Sequence, residues 1–155
     1  MSALPSTSGL PMREGDIVVD KSHLGREVAF TVLALPATFA TAGEQPWRTA
    51  VEAAAGEAVA EQPPFEGRVG VEVEFVLPHR ENRHPGWDLD NLIKPTIDAL
   101  HAVIGSRAGR WHVPQADDER VDEIRATKRE VRDSELPHAT IRVWTLDPSA
   151  HEVTS

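Results

Sequence analysis

The firmest constraint on the fold comes from residues 68–77, which read RVGVEVEFVL. The apolar members of this segment share one side of an extended chain: Val69, Val71, Val73 and Phe75. Glu72 and Glu74 fall on the opposite side. Because successive side chains of a strand point to opposite faces, this alternation predicts a strand with one buried face and one face in water.

Further segments have the pattern of a helix or a strand. We expect strands at 27–35, 120–131 and 138–146, and helices at 47–61 and 92–104. Loops are expected at 37–46, 78–87 and 105–116. The order is then β-α-β-α-β-β. Helices that cover one face of a small mixed sheet are the simplest way to bury these apolar faces, so the sequence predicts an α+β fold.

The length of 155 residues predicts a single domain. We expect a flexible N-terminal arm over residues 1–26, the folded domain over 27–146 and a disordered tail over 147–155. The core is predicted to include Trp47, Ile141, Val143 and Trp144.

The composition excludes several kinds of protein. There is no cysteine, which rules out a disulfide framework, a thiolate zinc site and a cysteine nucleophile. No apolar run reaches the roughly 18 residues of a membrane span, and the first residues lack a signal-peptide pattern, so a cytoplasmic location is expected. The formal net charge of −9 argues against a general binder of polyanions. A divalent cation beside a group of acids would reverse the sign of the charge locally.

The stretch at residues 87–100, which reads WDLDNLIKPTIDAL, has the pattern of a metal site. In an extended chain, residues two apart point to the same side, so Asp88 and Asp90 could aim both carboxylates at one point. Two such carboxylates repel each other unless a cation lies between them, and oxygen ligands suit Mg²⁺ or Mn²⁺ better than zinc. Lys94, at the start of the predicted helix, could contact a phosphate held by the metal.

A second acidic pair, Asp117-Asp118, precedes the strand predicted at 120–131. If that strand lies beside the strand at 68–77, one of these two acids could complete the metal site. The spacing alone leaves open which acid this is.

The two acidic blocks resemble the signature of the RusA family of Holliday junction resolvases. That signature reads D-x-D-N-x-x-K-x-x-x-D-A-L, then D-D-x-x-V leading into a strand with a lysine, and it matches residues 88–100, 117–121 and Lys128. The resemblance implies a RusA-like fold, a homodimer with an active site on each subunit, and Mg²⁺-dependent cleavage of branched DNA such as a four-way junction. It also implies a catalytic set, in which the three aspartates bind the metal: Asp88, Asp90, Lys94 and Asp118.

Basic and aromatic residues around these blocks predict contacts with DNA. Five cations are candidates for the DNA backbone: Arg80, Arg83, Arg107, Arg110 and Lys128. Trp87 or Trp111 could stack on an unpaired base.

Ordinary structural roles compete with the catalytic ones. Asp88 or Asp90 could cap the helix, and Lys94 could form a surface ion pair with Asp90 or Asp98. The acids at 117–119 could form a solvated turn. Two other functions also remain open. One is a catalytically silent module of the same fold that binds branched DNA or a protein partner, which the acidic charge favours. The other is a small metabolic hydrolase for a phosphorylated molecule, although no Gly-rich phosphate loop supports it.

Overall fold

The computed structural model describes residues 25–82, 87–108 and 114–146. Its strands are β1 (Glu27–Val32), β2 (Val69–Leu77), β3 (Ser106–Ala108), β4 (Pro114–Ala116), β5 (Val121–Glu130) and β6 (His138–Thr145). Its helices are α1 (Glu44–Val59), α2 (Leu89–Asp98) and α3 (His101–Ile104), and short 3-10 turns lie at Arg80–Asn82 and Asp118–Arg120. The predicted arm up to residue 24 and the predicted tail at 147–155 lie outside the described residues.

The main sheet has four strands in the order β1-β6-β2-β5. Strand β6 runs antiparallel to both β1 and β2, whereas β5 runs parallel to β2. Strands β3 and β4 form a separate hairpin in which Ser106 pairs with Ala116. The predicted α+β fold, a small mixed sheet with two main helices, is confirmed.

The core lies between the helices and one face of the sheet. The apolar side of β2 is wholly buried, as its alternation predicted: Val69, Val71, Val73 and Phe75. Trp47 of α1 packs against Phe75, with ring centroids 6.5 Å apart. Ile141 and Val143 of β6 are also fully buried, so the predicted core positions of these three residues are confirmed.

The opposite face of the sheet is polar and partly open. Arg142 donates to Glu72 over 3.1 Å and pairs with Glu27 at 3.3 Å, and these two carboxylates raise the pKa of Arg142. Trp144 lies on this face, half-buried under the guanidinium of Arg142, so its predicted place in the core is wrong. Successive residues of a strand face opposite sides, and Val143, the residue before Trp144, faces the core. A Cβ at Gly70 would approach the Trp144 ring to 2.4 Å, so glycine is what lets this ring lie against β2.

The second predicted helix, at 92–104, is two helices. The first, α2, begins three residues earlier than predicted because Asp88 caps it, and α3 follows after a break at residues 99–100. The predicted loop at 105–116 has short strands at its two ends, which are too brief to show an alternating pattern. Among the helices in the described ranges, none combines the length and the apolar character needed to cross a membrane.

Pro95 lies inside α2. Proline has no backbone N–H, so the carbonyl of Asn91, one turn earlier, receives no helical hydrogen bond from it. The backbone N–H of Phe39 donates to that carbonyl instead, over 2.9 Å. The loop between β1 and α1 is thereby attached to the start of α2.

Glu135, in the turn between β5 and β6, has a strongly shifted titration. Both guanidinium amines of Arg129 donate to its carboxylate over 2.8 Å, and the backbone N–H of Arg132 donates over 3.0 Å. These contacts lower the pKa of Glu135 to about 2, from an ordinary value of 4.5. The folded state therefore binds a proton at Glu135 less readily than the unfolded state does.

The Glu135 contacts predict an acid-sensitive contribution to stability. Since the folded pKa is depressed, the contribution is fully present above about pH 4.5 and is lost as the pH falls towards 2. We expect Glu135→Gln to lower the free energy of unfolding at pH 7, and the difference from wild type to shrink between pH 4.5 and 2. Urea denaturation across this range measures both. Glu57→Gln, an exposed change on α1, is the control, and a Glu135→Gln deficit that is constant with pH would contradict the assignment.

Candidate active site

Asp88 and Asp90 both lie at the start of α2 and are exposed. Asp88 is the extended residue before the helix, and its carboxylate accepts a hydrogen bond from the backbone N–H of Asn91 over 3.1 Å. Asp90 lies in the first turn. The extended geometry expected for this pair therefore ends at Asp88, and Leu89 turns towards the core. Acids at the start of a helix are stabilised by the helix dipole, which favours the charged form of both carboxylates.

Lys94 lies one turn further along α2. Its ammonium pairs with Asp98 at 3.4 Å and lies 5.7 Å from the ring centroid of Phe39. The side chain keeps 54% of its surface exposed. The helix cap at Asp88 and the ion pair at Lys94 are thus both present, and both leave the charged groups open to a ligand.

Lys128 connects the edge strand β5 to the residue before Asp88. Its ammonium donates to the backbone carbonyl of Trp87 over 2.8 Å. The lysine that the family signature places in this strand therefore lies beside the first acidic block.

Asp118 lies elsewhere in the fold. Its carboxylate forms an ion pair with Arg107 of β3 at 3.1 Å. The backbone N–H of Asp117 donates to the carbonyl of Gly105, the residue after α3. The second acidic block is therefore held against the end of α3, whereas Asp88 stands at the beginning of α2.

The direction of β5 accounts for this separation. The predicted pairing of this strand with β2 is present, but the two strands are parallel, so Val121 pairs with Val69 and Lys128 with Phe75. Lys128 lies seven residues after Val121 along the strand, which corresponds to about 23 Å. Asp118 precedes β5 at one end, and Trp87 contacts it near the other. Within residues 25–82, 87–108 and 114–146 of one chain, no three acids or histidines are grouped so that they could hold a metal ion.

The basic residues predicted to contact DNA are placed unevenly. The side chain of Arg80 is 85% exposed, so its guanidinium is accessible. Its one ion pair among the described residues, with Glu130, is long at 4.0 Å. Arg107 is engaged by Asp118. Arg83, Arg110 and Trp111 lie outside the described residues.

A cavity of about 590 Å³ borders the first acidic block, and sequence reasoning missed it. Its lining comes from the loop between β1 and α1, from the first turn of α1 and from Trp87. These segments are distant in sequence. The interior proline of α2 was the available signal, since Pro95 has no N–H to donate to the Asn91 carbonyl, which accepts from the loop residue Phe39.

The fold and the motifs together define a small α+β domain that presents two exposed carboxylates at a helix start beside an edge strand. The model of the family described as endodeoxyribonuclease RusA matches residues 31–144, which includes both acidic blocks. The chain therefore belongs to the RusA family of endodeoxyribonucleases. Membership implies an endonuclease of the type that resolves Holliday junctions. A comparison with curated proteins found no match.

The cap at Asp88 predicts that charge and stability can be separated at this residue. Asparagine caps helices about as well as aspartate, whereas alanine costs about 1 kcal/mol. We expect Asp88→Asn to leave the free energy of unfolding almost unchanged and Asp88→Ala to lower it by about 1 kcal/mol, as measured by urea denaturation. Equal losses in both variants would show that the carboxylate charge, not the hydrogen bond to Asn91, stabilises the helix.

Proposed function

We propose that this protein is a Mg²⁺-dependent, structure-specific endonuclease that cuts Holliday junctions or related branched DNA in recombination, repair or phage DNA processing. The observation that carries the proposal is the family match over residues 31–144, because it contains the complete set of chemically suitable residues. These are Asp88, Asp90, Lys94 and Asp118.

The donors at the start of α2 fit a magnesium ion. Magnesium in proteins usually keeps several waters and is held by one or two carboxylates together with substrate phosphates. Asp88 and Asp90 supply two exposed carboxylates of this kind. When bound, Mg²⁺ would supply Lewis-acid activation of the phosphate that is cleaved. Manganese would fit the same oxygen donors.

The chain's own residues would orient and neutralise the phosphate. The exposed ammonium of Lys94 lies one turn into α2, where it can offset negative charge on the phosphoryl oxygens. Asp98 contacts that ammonium at 3.4 Å and would act as a positioning residue. The exposed Arg80 and the edge-strand Lys128 would extend the contact along the DNA backbone.

We further propose that the active form is a homodimer whose two copies complete each other's sites. The support is the parallel pairing of β2 and β5, which keeps Asp118 at the opposite end of β5 from Trp87 and Asp88. A two-fold axis near the edge strand would reverse the direction of the second copy. Asp118 of the partner subunit would then approach Asp88 and Asp90, and a dimer would present two sites to two opposed DNA strands.

A binding module without nuclease activity is the second candidate. The net charge of −9 and the ion pair that occupies Asp118 favour it. Against it stands the retention of acids that repel DNA unless a cation is bound.

Cleavage of a labelled four-way junction tests the first proposal. We expect cuts in Mg²⁺, none in EDTA and much slower cutting of linear duplex. Asp90→Asn should lower the rate by at least about 100-fold, because mutation of groups that stabilise a charged transition state costs factors of this order. Glu57→Gln, on α1, should cut at the wild-type rate. Tight junction binding without cuts in Mg²⁺ would instead support the binding module.

Mixed dimers test the shared site. Asp90→Asn and Asp118→Asn homodimers should each be inactive. After the two are unfolded and refolded together, half of the dimers should be mixed. If the sites are shared between copies, each mixed dimer has one site with Asp90 and Asp118 both intact, so nicked junctions should appear. If each chain forms its own site, every site carries one substitution and no nicks form, which would overturn the shared arrangement.

A further inference from the structure

The cavity beside Asp88 has a chemistry that the metal site does not explain. It measures about 590 Å³, within the size range of small-molecule sites. Among the described residues, its lining contains no charged side chain and is built mainly from alanine, proline, leucine and tryptophan: Ala34, Leu35, Pro36, Ala37, Thr38, Thr41, Ala42, Gly43, Pro46, Trp47 and Trp87. The Trp47 indole N–H is already bonded to Thr96 over 2.9 Å, so this ring offers the cavity an apolar surface.

The cavity and the two carboxylates lie close to each other in the fold and are connected at two places. Trp87 lines the cavity and is joined through its peptide bond to Asp88. The loop on the other side is attached to α2 by the Phe39 to Asn91 hydrogen bond, and the Phe39 ring lies 5.7 Å from the ammonium of Lys94. A phosphate at the start of α2 would therefore have its own nucleotide next to the cavity.

We propose that the cavity receives one unstacked nucleobase of the nucleotide next to the cleaved phosphate; this inference rests on the proposed nuclease function. The flat apolar faces of a base suit a site formed by tryptophan, proline and leucine, and such stacking tolerates any base. A base in intact duplex has to be unpaired and unstacked before it can enter, and this is easier at a branch point, where stacking between neighbouring arms can be interrupted. The cavity thereby selects branched DNA without reading its sequence.

The proposed contact is tested by a protein variant that fills the cavity and by a DNA substrate that lacks the base. The filling variant is Ala42→Trp, at an exposed residue of the lining with ordinary backbone geometry. The substrates are a four-way junction and a set of the same junctions with an abasic nucleotide at each position around the branch point in turn. At one position, we expect the abasic change to slow wild-type cleavage about tenfold, which is the size of effect typical of one stacked base.

The effects of Ala42→Trp and of the abasic nucleotide on the cleavage rate should not be additive. Ala42→Trp should cut the intact junction about tenfold more slowly and should lose little more on the abasic junction. Leu35→Ala, at a second lining residue, should give a smaller loss of the same non-additive kind. Leu136→Ala removes an equally apolar and even more exposed side chain outside the cavity, and it should cut normally. Thermal denaturation shows whether each variant is folded.

The outcomes separate this inference from the function on which it rests. Two results would overturn the base-binding role and leave the nuclease proposal intact. One is cleavage at the wild-type rate by Ala42→Trp and Leu35→Ala. The other is a cleavage rate in which the effects of the variant and of the abasic nucleotide multiply. Junction affinity in EDTA gives the second readout. If the wild type never cuts but the same non-additive losses appear in affinity, the cavity binds a base and the nuclease proposal fails.

Discussion

The parallel pairing of β5 with β2 is the constraint on which the site depends. Both acidic blocks are tied to these strands, the first through the contact of Lys128 with Trp87 and the second because Asp118 directly precedes β5. Parallel strands place equivalent ends together. The block that follows β2 and the block that precedes β5 therefore start from opposite ends of the sheet edge. The shared metal site that we propose therefore requires a second copy of the chain.

The interior proline of α2 influences how the loop between β1 and α1 is attached to that helix. Helical hydrogen bonding would normally satisfy the carbonyl of Asn91 from within the helix. Pro95 removes that donor, and the N–H of Phe39 takes its place. One residue thus fixes the position of the loop that forms most of the cavity relative to the residues proposed to bind metal and phosphate. The hydrogen bond from Phe39 to Asn91 thus connects the lining of the cavity to the helix that carries Asp90 and Lys94.

The sequence predicted the fold well where one physical period governed the pattern. The alternation of residues 68–77 identified the buried face of β2, and the spacing of Ile141 and Val143 did so for β6. A large apolar ring is typical of a core residue, but Trp144 follows the inward-facing Val143 in the strand and therefore lies on the opposite face. The hairpin of β3 and β4 was missed because three residues are too few to establish an alternation.

The residues of the candidate site stay a prediction, and their relative positions could not be predicted from the sequence. The spacing of the first block gave the pair at Asp88 and Asp90 and the helix that follows, while the cap that places Asp88 just outside that helix became visible only with the backbone. Sequence carries no information on whether two neighbouring strands run parallel or antiparallel when a long connection could allow either. The position of Asp118 relative to Asp88 therefore stayed open until the sheet was known.

A crystal structure grown with Mn²⁺, in which anomalous scattering locates the metal, tests the central claim directly. We expect the ion to lie between Asp88 and Asp90 of one chain, with Asp118 of the partner subunit completing its ligands. A manganese ion bound by Asp88, Asp90 and Asp118 of the same chain would contradict the shared site, and an ion bound away from Asp88 and Asp90 would contradict the metal site itself.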